Sequence, residues 1–136
     1  MKKPYNIICI IPARGGSKGL KKKNILHING EPLIARPIKQ ALDSKLIDDV
    51  IVSTDNKKIA KIAKSYGAIV PFLRPKKFSG DFATTEQTLK YTLLRYEKLI
   101  KKKYDICVFI TATDIFRKKE WIDQCIKKLI NNKKIE

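Results

Sequence analysis

Histidine occurs once in the 136 residues, cysteine three times, and acidic side chains 13 times against 30 lysines and arginines. The lone histidine, His27, has no neighbour that would mark it as a catalytic base. Cys9, Cys107 and Cys125 are odd in number, widely spaced and form no CxxC pair. A zinc site therefore does not fit, and buried free thiols in a reducing compartment are the expectation. No apolar run approaches the roughly 20 residues that a membrane span requires. The opening "MKKPYNIICIIPARGG" starts basic, but its apolar part, Ile7 to Ile11, is cut off by Pro12 and Arg14. That is too short for a signal-peptide core, so a cytoplasmic protein is expected. Internal repeats and low-complexity linkers are also missing. One domain over residues 1–136, long enough to bury a core, is the expectation.

The scarcity of acids leaves a formal charge of +17. Nearly all of it is lysine spread along "NKKIAKIAK", "LIKKKYD" and "CIKKLINNKK", which read as solvated helix faces. Isoleucine and asparagine are abundant too, as a coding bias towards Lys, Ile and Asn would produce. A basic nucleic-acid-binding protein ranks last among the alternatives, because no nucleic-acid motif is present and the aromatics fall mostly at core spacing.

Short, almost continuous apolar runs occur at Asn6 to Ile11, Asp49 to Val52 and Asp105 to Ile110, as in strands covered on both faces of a parallel sheet. Ala68 to Phe72 is a weaker fourth candidate. Helical spacing appears in Pro32 to Leu42, where Pro37 should end or kink a first turn. It recurs in Asn56 to Tyr66, stopped by Gly67. Thr84 to Lys102 places Leu89, Leu93, Tyr96 and Ile100 on one stripe, and Lys118 to Asn131 carries Trp121, Ile122, Cys125 and Ile126. The alternation of strand and helix predicts an α/β domain of three layers around a mainly parallel sheet. Ligands of such sheets lie beyond the carboxyl ends of the strands. Those ends read "PARGGSKG", "STDN" and "TATD".

The first loop is the densest in chemistry. Gly15, Gly16 and Gly19 allow close approach to main-chain N–H groups, Arg14, Lys18 and Lys21 to Lys23 carry positive charge, and Ser17 adds a hydroxyl. The combination suits a triphosphate, although neither GxxxxGK[ST] nor GxGxxG is present. Asp55, at a strand end, either holds nearby loops or caps the next helix.

In order along the chain, "IIPARGGSKGLKKKN", "NGEPLI", "VIVSTDNKKIAKIAKSYGA" and "PFLRP" resemble the acylneuraminate cytidylyltransferases, the CMP-sialic acid synthetases, over their N-terminal portion. The resemblance implies a nucleotide-diphosphosugar-transferase (Rossmann-like) fold, truncated at the C-terminus. It implies transfer of CMP from CTP to a sialic-acid-like nonulosonic acid, with pyrophosphate released and Mg2+ or Mn2+ assisting. Arg14 and Lys23 match motif residues and would be catalytic. Arg14, Gly15, Gly16, Ser17, Lys18, Lys23, Asn24, Arg74 and Thr85 would bind the nucleotide; Thr84 or Thr85 is also a candidate helix N-cap.

After "DICVFI" the family commonly has QPTSPLR where this chain has "TATDIFR". Thr111 and Arg117 would contact the sugar, and Asp114 would hold the cation. The partners implied are CTP and an acidic nonulosonic sugar, without nucleic acid or membrane, and a homodimer is possible. The family runs to well over 200 residues. Two alternatives follow: a catalytically incomplete nucleotide-binding module, or a nucleotidyltransferase with a different sugar acceptor.

Overall fold

The computed structural model describes residues 5–15, 27–28, 30–75, 84–111 and 117–131. In chain order these hold β1 (Ile7–Pro12), β2 (His27–Ile28), β3 (Glu31–Pro32), α1 (Ala35–Leu42), β4 (Asp49–Ser53), α2 (Lys57–Ser65), α3 (Thr85–Ile100), β5 (Ile106–Phe109) and α4 (Glu120–Asn131). β2 and β3 pair antiparallel; the main sheet is parallel, in the order β4-β1-β5.

β1 is apolar on both faces, so only the centre of a covered sheet removes all of it from water. Ile7, Cys9 and Ile11 point to the layer of α1, α2 and α4, where Ile34, Ile38, Ala41, Ile59, Ala63, Ile122 and Ile126 meet them. Ile8 and Ile10 point the other way, with Ile51, towards Tyr96 and the partly buried Leu89 and Leu93 of α3. The three predicted layers are present.

The outer strands differ from expectation. The fourth candidate shrinks to one bridge: Ile69 N–H donates to Val50 O at 2.9 Å and Val52 N–H to Ile69 O at 3.0 Å. Pro71, two residues on, has no N–H to continue the ladder. Among the described residues, β5 is covered on one face only. Ile106 and Val108 pack into the larger core, whereas Cys107 is exposed and Phe109 is 42% exposed. α3 lies over Ile8, Ile10 and Ile51, and β5 is the far strand of the described sheet. Cys125 is exposed as well, so the expectation of buried thiols holds for Cys9 alone. Burial, then Cys107, pushes the Cys9 thiol up to about 12, with Arg117 opposing; it is inert at neutral pH.

Helix ends follow local chemistry. Pro37 falls in the first turn of α1 and does not end it, since the N–H groups there have no intrahelical acceptor to lose. Asn56 Oδ1 accepts from Lys58 N–H at 2.9 Å and Ile59 N–H at 3.0 Å, opening α2. Gly67, at φ 102°, closes α2 in a Schellman turn: Ala68 N–H donates to Ala63 O at 3.1 Å and Gly67 N–H to Lys64 O at 3.0 Å. Thr84, not Thr85, caps α3. Its hydroxyl accepts from Gln87 N–H at 3.0 Å while Gln87 Oε1 accepts from Thr84 N–H at 3.1 Å.

The buried line of α3 runs through Thr88, Thr92 and Tyr96, with Ile100 exposed. A hydroxyl pair fits this rotation from the expected stripe: Thr92 Oγ1 and Ser53 Oγ share a hydrogen bond of 2.8 Å in the interior. Thr92 therefore sits over the end of β4, while Tyr96 stacks on Tyr104, whose hydroxyl donates to Asp49 at the start of β4. α3 thus runs antiparallel to β4 and points its amino end at the carboxyl edge of the sheet.

Candidate functional site

The chain leaves the sheet at three points on that edge, and the tetrapeptide Ser53-Thr54-Asp55-Asn56 organises two of them. Ala13 N–H donates to Ser53 O at 2.8 Å, and Gly15 N–H donates to Asp55 Oδ1 at 2.8 Å. Thr54, fully buried, accepts at its carbonyl from Arg74 N–H at 2.8 Å and at Oγ1 from Asn56 N–H at 3.1 Å. Of the two roles open to Asp55, the structure selects the loop; Asn56 is the cap. Gly15 lies so close to Asn56 that a Cβ there would fall 2.7 Å from Nδ2 and 2.8 Å from Cβ. Only glycine permits that approach.

Arg74 is 6% exposed. Burial lowers its pKa; Asp55 opposes the shift, and Arg14 adds to it. A guanidinium remains cationic even so. Its Nε is buried with no hydrogen-bond partner among the described residues. The segment that carries it is pinned to α3 through Phe72, whose ring meets Tyr91 edge-on at 6.0 Å and lies 4.1 Å from the Arg95 guanidinium carbon. Arg14, half-buried beside Gly15, and Arg74, 60 residues apart in the chain, lie near enough for their charges to interact, and Asp55 also acts on the Arg74 charge. Thr85 is exposed at the first position of α3. It lies seven residues before Thr92 on the helix, about 10 Å beyond Ser53 at the same edge.

The third exit follows β5. Arg117 Nε donates to Gln40 Oε1 at 2.8 Å, Gln40 Nε2 returns a bond to Arg117 O at 2.8 Å, and Arg117 Nη1 donates to Thr111 O at 3.2 Å. Arg117 therefore ties both ends of the 111–117 loop together and ties the loop to α1. Gln40 had no signal in the sequence: it is one polar residue on an amphipathic helix, and its partner lies 77 residues away. Gln40→Ala should cost about 1–3 kcal/mol of unfolding free energy, because it strands a charged donor in a part-buried site. Urea denaturation would measure it; an unchanged midpoint would show the pair to be dispensable.

Gly16, Ser17, Lys18, Lys23, Asn24 and Asp114 lie outside the described residues. Among the described residues no group of three or more His, Cys, Asp or Glu side chains could hold a metal ion. None of the described helices is long and apolar enough to cross a membrane.

Residues 8–135 match the family model described as Cytidylyltransferase. The chain belongs to the cytidylyltransferase family. This cytidylyltransferase chain is 38% identical over 127 residues to the pseudaminic acid cytidylyltransferase of Campylobacter jejuni subsp. jejuni serotype O:2, covering 92% of this chain and 53% of that one. To the N-acylneuraminate cytidylyltransferase of Escherichia coli O18:K1:H7 it is 39% identical over 121 residues, covering 89% and 27%. Among solved structures, a CMP:2-keto-3-deoxy-manno-octonic acid synthetase complexed with CTP matches at a TM-score of 0.75 and 19% identity, over 94% of this chain and 48% of that one.

The resemblance carried by the "PARGGSKG" and "FLRP" motifs is upheld, and the fold is the Rossmann-like α/β fold of the nucleotidyltransferases. The chain spans about half the length of the pseudaminic acid enzyme and of the matched structure, and about a quarter of the E. coli enzyme.

Proposed function

We propose that this cytidylyltransferase chain binds CTP and takes part in transferring CMP to a sialic-acid-like nonulosonic acid, with pyrophosphate released. One observation carries the proposal: Arg74 is buried at the sheet edge where Gly15 bonds to Asp55, near enough to Arg14 for the two charges to interact. A buried guanidinium with a second one near enough to feel its charge suits a polyanion. In the reaction the sugar's anomeric oxygen forms a bond to the α-phosphorus as the bond from that phosphorus to the β-phosphate oxygen breaks. The hydroxyl proton leaves to solvent, and negative charge builds on the departing pyrophosphate. Arg14 and Lys23 would stabilise that charge, with Gly15, Gly16, Ser17 and Lys18 wrapping the phosphates. Asn24, Arg74 and Thr85 would hold the rest of the nucleotide.

Thr111 would face the acceptor, while Arg117 would shape the acceptor loop through Gln40 and Thr111. Mg2+ or Mn2+ on Asp114, which would neutralise phosphate charge, is a proposal from the sequence alone. The relatives' names support the sugar class: one acts on pseudaminic acid and another on N-acylneuraminate.

The test is to measure binding of CTP, ATP, GTP and UTP with Mg2+, then pyrophosphate release with a panel of nonulosonic acids. CTP-selective binding with release is the expected result. Selective binding without release would support a nucleotide-binding module, the second reading. Salt-sensitive DNA or RNA binding without nucleotide selectivity would overturn both.

A further inference from the structure

We infer that Asp55 is a positioning residue for the nucleotide, latching Gly15, just past the end of β1, to the start of α2 so that Arg14 stands in register with Arg74. The inference rests on the CTP reading and gives Asp55, until now a loop holder or helix cap, a part in placing the nucleotide.

The geometry of the sheet edge carries it. β1 and β4 run parallel to Pro12 and Ser53, and their last main-chain bond is Ala13 N–H to Ser53 O. Two residues on, the next inward amide is Gly15 N–H, and its acceptor is the Asp55 side chain instead of a carbonyl. A side chain is longer than a carbonyl, so the two backbones separate here while staying tied. That opens the carboxyl edge without releasing the loop.

The neighbouring residues reinforce the tie. Asn56 caps α2 with the same side chain against which Gly15 packs, and Thr54 O holds the Arg74 amide. One tetrapeptide therefore sets where the glycine loop begins, where α2 begins and where Arg74 sits. The Asp55 carboxylate also acts on the buried Arg74 charge, opposing the effects of burial and of Arg14.

Substitutions in the full chain separate the latch from the charge. Asp55→Ala removes the acceptor, and CTP affinity should fall about tenfold or more with the melting temperature little changed. Hydrogen exchange at the Gly15 amide should accelerate. Asp55→Asn keeps an acceptor oxygen and should bind CTP within about threefold of wild type. Gly15→Ala should weaken CTP binding about tenfold, since its Cβ displaces the loop from Asn56. Adding Asn56→Gly should restore it, because glycine at an N-cap costs only about a few tenths of a kcal/mol.

Wild-type affinity in Asp55→Ala, an equal loss in Asp55→Asn, or no rescue of Gly15→Ala would each overturn the latch. Should Asp55→Ala fail to fold, the Gly15→Ala and rescued pair decides. Wild-type protein that binds no CTP would overturn the nucleotide reading itself, a result distinct from normal binding that Asp55→Ala leaves intact.

Discussion

Arg74→Met is expected to lower CTP affinity about 100-fold while leaving the protein at least as stable as wild type. The two effects have opposite signs for one reason. The guanidinium is 6% exposed, burial disfavours its charge, and its Nε has no partner among the described residues. Keeping it inside costs stability, and a thioether of similar length removes that cost while filling the space. Asp55, which would lose a neighbouring cation, is only half-buried and stays hydrated.

Against a triphosphate the same buried cation is an asset, since water does not screen it and no side-chain ordering is needed when ligand arrives. Calorimetric titration with CTP and thermal melting, run on the same samples, would read both. A melting temperature several degrees below wild type would show that Arg74 serves the fold. Unaltered CTP affinity would remove it from the site.

The second large effect concerns two apolar residues paired across the sheet, Ile10 and Phe109. Ile10→Ala should cost about 4 kcal/mol, in the upper part of the range for buried isoleucine. Ile10 is fully buried in the central strand, and Ile8, Ile51 and Tyr96 of its cluster leave little room for collapse. Phe109→Ala should cost about 1–2 kcal/mol, because a ring that is 42% exposed has removed only part of its area from water. Urea denaturation of the two variants would compare them directly. Equal losses would mean that the outer face of β5 is covered in solution.

That contrast marks the boundary of what residue pattern alone reveals. "IICIIP" and "DICVF" look alike as strings, and both form strands. Among the described residues one lies between two layers and the other is covered on one face, with α3 lying over Ile8, Ile10 and Ile51. The Ser53–Thr92 hydroxyl pair, 39 residues apart in the chain, ties α3 to β4 there. The stripe of Leu89, Leu93 and Ile100 is a local pattern and carries no trace of that pair. Helix boundaries were easier to read, because Asn56, Gly67, Thr84 and Gln87 act on backbone groups within a few residues.

The candidate site divides the same way. Composition and motif order alone determined that a cationic glycine loop follows the first strand, that a parallel α/β sheet presents it, and which family the chain joins. These depend on side-chain type and on neighbours along the chain. Tertiary structure decided that Arg74 comes inside beside Arg14, that Asp55 holds the loop while Asn56 takes the cap, and that Gln40 and Arg117 brace the loop after β5. Apart from the Asn56 cap, which is local, these bring together residues tens of positions apart, as parallel strands carry their carboxyl ends to one edge.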